Sequence, residues 1–171
     1  RGRFRLHEKP AERGLRTPID RFFNSLADQF GGRAYCVVLS GTGSDGTAGL
    51  RAVKAAGGVA IAQEALSAKF SGMPENAAAT GLVDFVLEPS RISARLQEIE
   101  HHRSLVEHGE DAKSRHEEIG EKLGAIIELI DGEEGHDFSS YKTATLIRRV
   151  ERRMTILRQR TVDGLIMTLQ E

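Results

Sequence analysis

Gly41-Thr42-Gly43-Ser44-Asp45-Gly46 is the stretch of this chain best suited to chemistry. It follows a continuously apolar run, Tyr35-Cys36-Val37-Val38-Leu39, and precedes TAGLRAVKAA, which has helical character. An Asp between the carboxyl end of a strand and a helix stands where open α/β sheets place their reactive groups. The glycines let the backbone turn sharply and approach another group closely. The positive end of the helix dipole favours the ionised form of Asp45. A carboxylate so placed can accept an imidazole N–H, fix its tautomer and stabilise the imidazolium, the orienting role in a Ser-His-Asp triad. The same placement suits an Asp that merely caps a helix in a glycine turn, and spacing alone does not separate the two readings. The loop fits neither of the common glycine-rich nucleotide motifs, which argues against a phosphate cradle.

Two further motifs follow. In SAKFSGMPEN, Gly72 and Pro74 fix a loop-to-helix turn. In DFSSYKTATLIRRVERRMTILRQR, Leu146, Val150, Met154 and Leu157 share one helix face, while Arg148, Arg149, Arg152 and Arg153 crowd the others. Arginines at 148/152 and 149/153 are i,i+4 neighbours and repel, with Glu151 as the only local relief. So much positive charge suits an acidic partner: a carboxylate-rich helix, a phosphate backbone or an anionic membrane surface. A solvated face laced with intramolecular salt bridges fits the composition equally well. The helix has no interleaved aromatics and no readable helix-turn-helix, so no nucleic acid is expected as partner. His101, His102, His108 and His116 form no compact ligand set, and no metal is expected.

The elements that must position these residues change character along the chain. Residues 1 to about 99 alternate strand and helix signals. Arg3 to Leu6 reads as a short strand. Thr17 as N-cap and Pro18 at the first helical position open a helix with Ile19, Phe22, Phe23 and Leu26 on one face, ended by Gly31-Gly32. A buried-type strand covers Ala34 to Ser40, and a helix follows from Thr47 to Ala56. A strand at Val59 to Ala62, a helix from Pro74 to near Gly81, a strand at Leu82 to Leu87 and a helix from Pro89 to about Ile99 complete this part. Such alternation predicts a doubly wound parallel sheet, here partial because only three central strands are visible. Missing strands would leave the Ala34–Ser40 and Val59–Ala62 neighbourhoods with an exposed edge, an aggregation hazard.

Residues 100–117 are polar and charged and read as a helical linker. Residues 118–171 are helical. Ile119, Leu123, Ile126, Ile127 and Ile130 fall at helical spacing, Gly132 and Gly135 are expected to break that helix, a second runs from about Thr143 to Arg158, and Thr161 caps a third. The expected fold class is therefore a partial doubly wound α/β part followed by an all-α segment.

Of 171 residues, 39% are hydrophobic and 29% charged, a globular balance, and a net charge of −1 selects no partner by itself. The single cysteine, Cys36, excludes an intrachain disulfide and reads as a small buried hydrophobe. The longest apolar runs fall far short of the ~20 residues of a spanning helix, so no membrane insertion and a cytoplasmic location are expected.

With these residues in view, VVLSGTGSDGTAGLRAVKAAGGVAIAQEALSAKFSGMPENAAATGLVDFVL, with TPIDRFFNSLA upstream, closely resembles the C-terminal half of the protein-glutamate methylesterase domain of bacterial chemotaxis, the CheB family. The resemblance spans about Arg1 to Ile99. It implies a doubly wound α/β fold and a Ser-His-Asp triad whose Asp matches Asp45, in an active-site loop containing Gly41, Thr42, Gly43 and Gly46. Thr42 stands where many members have Met. The family's Ser and His precede the segment resembling Arg1 to Leu26, and His7 follows RFRL a few residues too late for the triad position. The chain alone is therefore expected to be inactive as an esterase. The SAKFSGMPEN loop, Ser67 to Asn76, is expected near the active-site rim.

The arginine-rich segment is similar to the N-terminal helical domain of chemoreceptor glutamate methyltransferases, the CheR family, with an extra hydrophobic residue, Ile147. That resemblance implies that Arg148, Arg149, Arg152 and Arg153 face the glutamate-bearing cytoplasmic helices of methyl-accepting chemoreceptors. It also implies S-adenosylmethionine for a domain following Glu171, and no cofactor for this chain itself. The two resemblances in tandem point to a piece of a methylesterase–methyltransferase fusion in chemotaxis signalling. Its short linker would raise the effective concentration of both activities at one receptor. A non-catalytic receptor-docking scaffold or a degenerate remnant is the alternative.

Overall fold

The computed structural model describes residues 16–108, 112–134, 138 and 140–170. The strand expected at Arg3 to Leu6, His7 and the break expected at Gly135 lie outside the described residues.

The chain folds as α1 (Pro18–Phe30), β1 (Tyr35–Val38), α2 (Thr47–Ala55), β2 (Val59–Gln63), α3 (Gly72–Ala78), β3 (Phe85–Leu87), α4 (Pro89–His108), α5 (Ala112–Glu134), α6 (Thr143–Leu157) and α7 (Val162–Leu169). The strands form a parallel sheet in the order β1-β2-β3, with Tyr35 opposite Val59 and Ile61 opposite Phe85. This is the partial α/β architecture followed by helices that the alternation of signals predicts.

All five residues of β2 are buried, because helices cover both faces of the sheet. One face packs Cys36, Val38, Ala60 and Ala62 under Phe23 and Ala27 of α1, Leu50 and Val53 of α2, and Ala77 of α3. The other packs Val59 and Ile61 under Ile92 and Ile99 of α4 and, from much later in the chain, Ile156 of α6. A separate core joins Ile119, Leu123 and Ile126 of α5 to Leu146, Ile147 and Met154 of α6 and Val162 and Leu165 of α7. Tyr35 ties β1 to α4, its hydroxyl donating to Glu100 Oε2 at 2.7 Å. Burial and that carboxylate push the phenol up to about 12.

Several expectations need correction. β2 is no exposed neighbourhood: it is the central strand, paired on both sides, and the edges among the described residues are β1 and β3. β3 is three residues long, not six: ahead of it Leu82 N–H turns back to Thr80 Oγ1, and the Asp84 side chain, through Oδ2, accepts from Ala60 N–H of β2. α3 starts two residues before Pro74, which takes a first-turn position where its missing N–H costs nothing. α4 runs unbroken from Pro89 through the expected boundary at 99/100 to His108. Gly132 does not break α5, which continues to Glu134; one glycine in a helix costs only about 1 kcal/mol relative to alanine. Thr161 caps α7 as expected, accepting from Gly164 N–H at 3.1 Å.

Candidate functional site

The GTGSDG loop sits at the carboxyl end of β1 and closes onto the amino end of α1. Asp45 is half-buried there. Its Oδ2 accepts from Ile19 N–H at 3.1 Å and its Oδ1 from Asp20 N–H at 3.0 Å. Thr17 stands at the N-cap of α1, but its side chain makes no capping bond; Asp45, from another segment, does that work. Asp20 returns the arrangement. Its Oδ1 accepts from Gly46 N–H at 2.9 Å and Gly49 N–H at 2.8 Å, in the first turn of α2. Two helix amino ends are thus cross-capped by each other's carboxylates, each placed where the dipole favours negative charge. Asp45 does cap a helix, then, but α1 rather than the α2 that follows it. Gly46, at φ +99°, provides the left-handed turn that makes this exchange possible.

The second loop locks against the first. Gly41 N–H donates to Phe70 O and Met73 N–H to Gly41 O, both at 2.9 Å. Asn76 Nδ2 donates to Gly43 O at 2.9 Å, and Phe70 N–H to Ser40 Oγ at 3.0 Å. A Cβ on Gly41 would stand 2.4 Å from Met73 Sδ, so a side chain there would require the flexible Met73 side chain to move aside. Below them, buried Gln63 accepts from Ser40 N–H at 2.8 Å. Thr42, Gly43 and Ser44 remain exposed. The structure thus gathers Gly41, Thr42, Gly43, Asp45 and Gly46 on one rim together with Met73 and Asn76. Sequence reasoning missed Asp20 and Gln63. The signal for Asp20 was present: an acid in the first turn of one helix, with a second acid before another.

Chemically, the rim offers a carboxylate oriented by two backbone amides, each of whose oxygens keeps a further lone-pair site for a partner. The described histidines lie elsewhere, on α4 and α5. His101 is exposed while its neighbour His102 is buried, and His116 Nδ1 lies 2.8 Å from Glu151 Oε1. Among the described residues, no three His, Cys, Asp or Glu side chains gather as a metal set. Cys36 is buried in β1, and burial pushes its thiol up to about 12, so it is no nucleophile. Among the described residues no helix is long and apolar enough to cross a membrane.

The arginine helix is α6. Arg148, Arg149 and Arg153 are exposed, with Arg149 over the Tyr141 ring at 5.0 Å. Arg152 departs from the set. It is half-buried and turns toward the α/β part, with Nη1 3.5 Å from Gly32 O. Ile147 is buried in the helical core.

Known proteins resemble this chain in sequence. An uncharacterized 104.1 kDa protein in the hypE 3' region of Rhodobacter capsulatus is 42% identical over 84% of this chain and 17% of its own length. A protein-glutamate methylesterase/protein-glutamine glutaminase of the group 3 operon of Rhizobium meliloti is 41% identical over 61% of this chain and 29% of its own. The protein-glutamate methylesterase FrzG of Myxococcus xanthus is 40% identical over 57% and 29%. The chain thus spans less than a third of the length of each of these relatives. The crystal structure of the Thermotoga maritima CheB methylesterase catalytic domain aligns with 45% of this chain and 41% of its own, at 32% identity and a TM-score of 0.44. Residues 121–171 match the all-alpha domain of CheR methyltransferases. With residues 2–96 matching the CheB methylesterase family, the chain is a member of that family, carrying a CheR-type helical domain behind the esterase segment.

Proposed function

We propose that this chain is part of a bifunctional protein that hydrolyses glutamate methyl esters on chemoreceptors and also forms them. The carrying observation is the order of the two family matches, esterase at 2–96 and transferase helices at 121–171, in one chain. On this reading Asp45 orients a histidine supplied by sequence outside the chain. That histidine takes the proton of a serine as it attacks the ester carbonyl, methanol leaves, and water then releases the glutamate. The two amides on Asp45 hold its carboxylate in one orientation, which is what such a role requires. The Rhizobium relative is also named a glutaminase; the same acyl chemistry on a glutamine side chain would release ammonia instead of methanol.

Arg148, Arg149 and Arg153 present the charge that suits a carboxylate-bearing receptor helix. S-adenosylmethionine is the methyl donor that the second activity requires. The core of α5, α6 and α7 is filled by its own apolar side chains, so the donor would not sit inside that core.

The test compares methanol release from a methylated receptor by this chain and by the gene product extended on both sides. Activity only in the extended protein, lost in Asp45→Asn, supports the reading. Full activity in that variant would overturn it. A scaffold without turnover would bind receptor in both forms and release no methanol in either.

A further inference from the structure

The base of the sheet, opposite the Asp45 rim, carries a second meeting of two glycine turns. Gly31-Gly32 closes α1 ahead of β1, and Gly57-Gly58 closes α2 ahead of β2. They lie side by side: a Cβ on Gly57 would stand 3.6 Å from Gly32 Cα. The carboxyl ends of two helices therefore converge on a notch without side chains, and helix carboxyl ends carry partial negative charge. The guanidinium of Arg152 occupies that notch. Nη1 is 3.5 Å from Gly32 O, and a Cβ on Gly57 would come within 3.0 Å of it. A flat, weakly hydrated guanidinium suits such a slot better than an ammonium would. One helical turn on, Ile156 is 5% exposed, inserted among Val59, Ile61, Ile92 and Ile99. Just past the end of α6, Arg158 Nη2 meets Glu98 Oε2 of α4 at 2.7 Å.

We propose that α6 is a docking element that fixes the helical half to the base of the α/β half, with Arg152 as its latch, Ile156 as its apolar plug and Arg158–Glu98 as its outer clasp. Positions 152 and 156 fall on one helix face, so a single orientation of α6 makes both contacts. The docked orientation leaves Arg148, Arg149 and Arg153 in solvent. It also leaves the Asp45 rim uncovered, because latch and rim lie at opposite ends of the strands. The two functional surfaces are then held at a fixed separation and angle, not on a loose tether. The arginine surface available to a partner has three members rather than four. This docking goes beyond the reading of function above and does not depend on it, since it concerns geometry whichever reaction either half serves.

The experiment measures a distance across the seam by double electron–electron resonance in the full chain. Spin labels are placed at Arg51→Cys on α2 and Glu128→Cys on α5, both exposed positions; buried Cys36 stays unlabelled. One narrow distance is expected. Arg152→Gln should broaden it while circular dichroism keeps the helix content. Arg158→Glu should broaden it too, because it sets a carboxylate against Glu98 while Arg95, 3.2 Å from the same oxygen, stays in place. A broad distribution in the otherwise unaltered chain would overturn the proposal. So would a narrow one that neither single variant changes.

Discussion

The α/β half and the helical half present their candidate functional side chains in opposite ways. On the Asp45 rim, each oxygen of one carboxylate is engaged by a backbone amide, and the neighbouring Asp20 is engaged in return. On α6, Arg148 and Arg153 stand in solvent and Arg149 rests on one aromatic ring. The first arrangement fixes an orientation and ties the carboxylate to the fold through backbone amides. The second presents charge without fixing it, so charge can be altered there with little structural consequence. Chemistry that needs a defined angle belongs to the first kind of site, and recognition of a charged surface to the second.

The sharpest way to break this contrast is at Asp45. Asp45→Asn in the extended protein is expected to lower ester hydrolysis by roughly 10⁴-fold, as a wrong imidazole tautomer does in a triad. Its cost in stability should be only about 1 kcal/mol, the worth of a helix cap. Asp20→Asn is the control. It loses the negative charge at the other cap while its amide oxygen can still accept from Gly46 and Gly49 N–H, and its turnover should fall far less. Turnover assays and urea unfolding on both variants separate the roles. Equal losses of both quantities in the two variants would reduce Asp45 to a cap.

A second pair tests whether the halves differ in cooperativity. Ile61→Ala in the sheet and Met154→Ala in the helical core each remove a side chain that is 0% exposed, at about 2–5 kcal/mol. With α6 docked on the sheet, each should lower the melting of both halves together, read by calorimetry as one transition. Two transitions, each moved by only one variant, would mean that the halves stand apart.

The third prediction concerns pH at the junction. His102 is buried on α4, with Nε2 lacking a hydrogen-bond partner among the described residues. Burial holds its pKa below the usual imidazole range, and the charges of Arg115, Arg160 and Arg158 act the same way, against a backbone bond at Gln159 that raises it. The unfolded chain therefore binds the proton more readily than the folded one, and stability rises with pH across that window. It should be complete above the ordinary value of about 6.5 and fall as pH drops through the lower folded-state value. His102→Gln should flatten that slope in urea unfolding followed from pH 8 to pH 5. An unchanged slope would assign the dependence to other groups.

How much of this was legible in the sequence follows from where the information sits. The sheet and its helices were, because a run such as Val59–Ala62 directly behind the Gly57-Gly58 turn has few alternatives. The Gly41–Gly46 loop was, because its residue types restrict the backbone themselves. The exchange of caps was not. Asp20 reads as an ordinary first-turn acid until the fold brings Gly46 and Gly49 to it. The length of α4 was misjudged because a charged stretch without apolar periodicity looks like a linker, although its propensities are helical. Arg152 looked like its three neighbours. Only the notch made by two distant glycine turns distinguishes it, and no local pattern encodes that.

The smallest expected effects lie among the remaining arginines, and they differ in size. Arg148 is exposed and shares a helix ridge with Arg152, so Arg148→Ala removes a repulsion as well as a side chain. Its stability should change by no more than a few tenths of a kcal/mol, in either direction. Arg149→Ala should cost more, about 0.5–1 kcal/mol, because the guanidinium over Tyr141 is lost. Tyr141→Leu keeps apolar bulk but removes the ring's charge distribution, so it should bring Arg149 down to the level of Arg148. Urea midpoints for the three variants and for the Arg149–Tyr141 double variant complete a cycle whose coupling term is the cation–ring contact alone. A coupling of zero would leave α6 with no ordered arginine on its solvent side, and would make the contrast with the Asp45 rim complete.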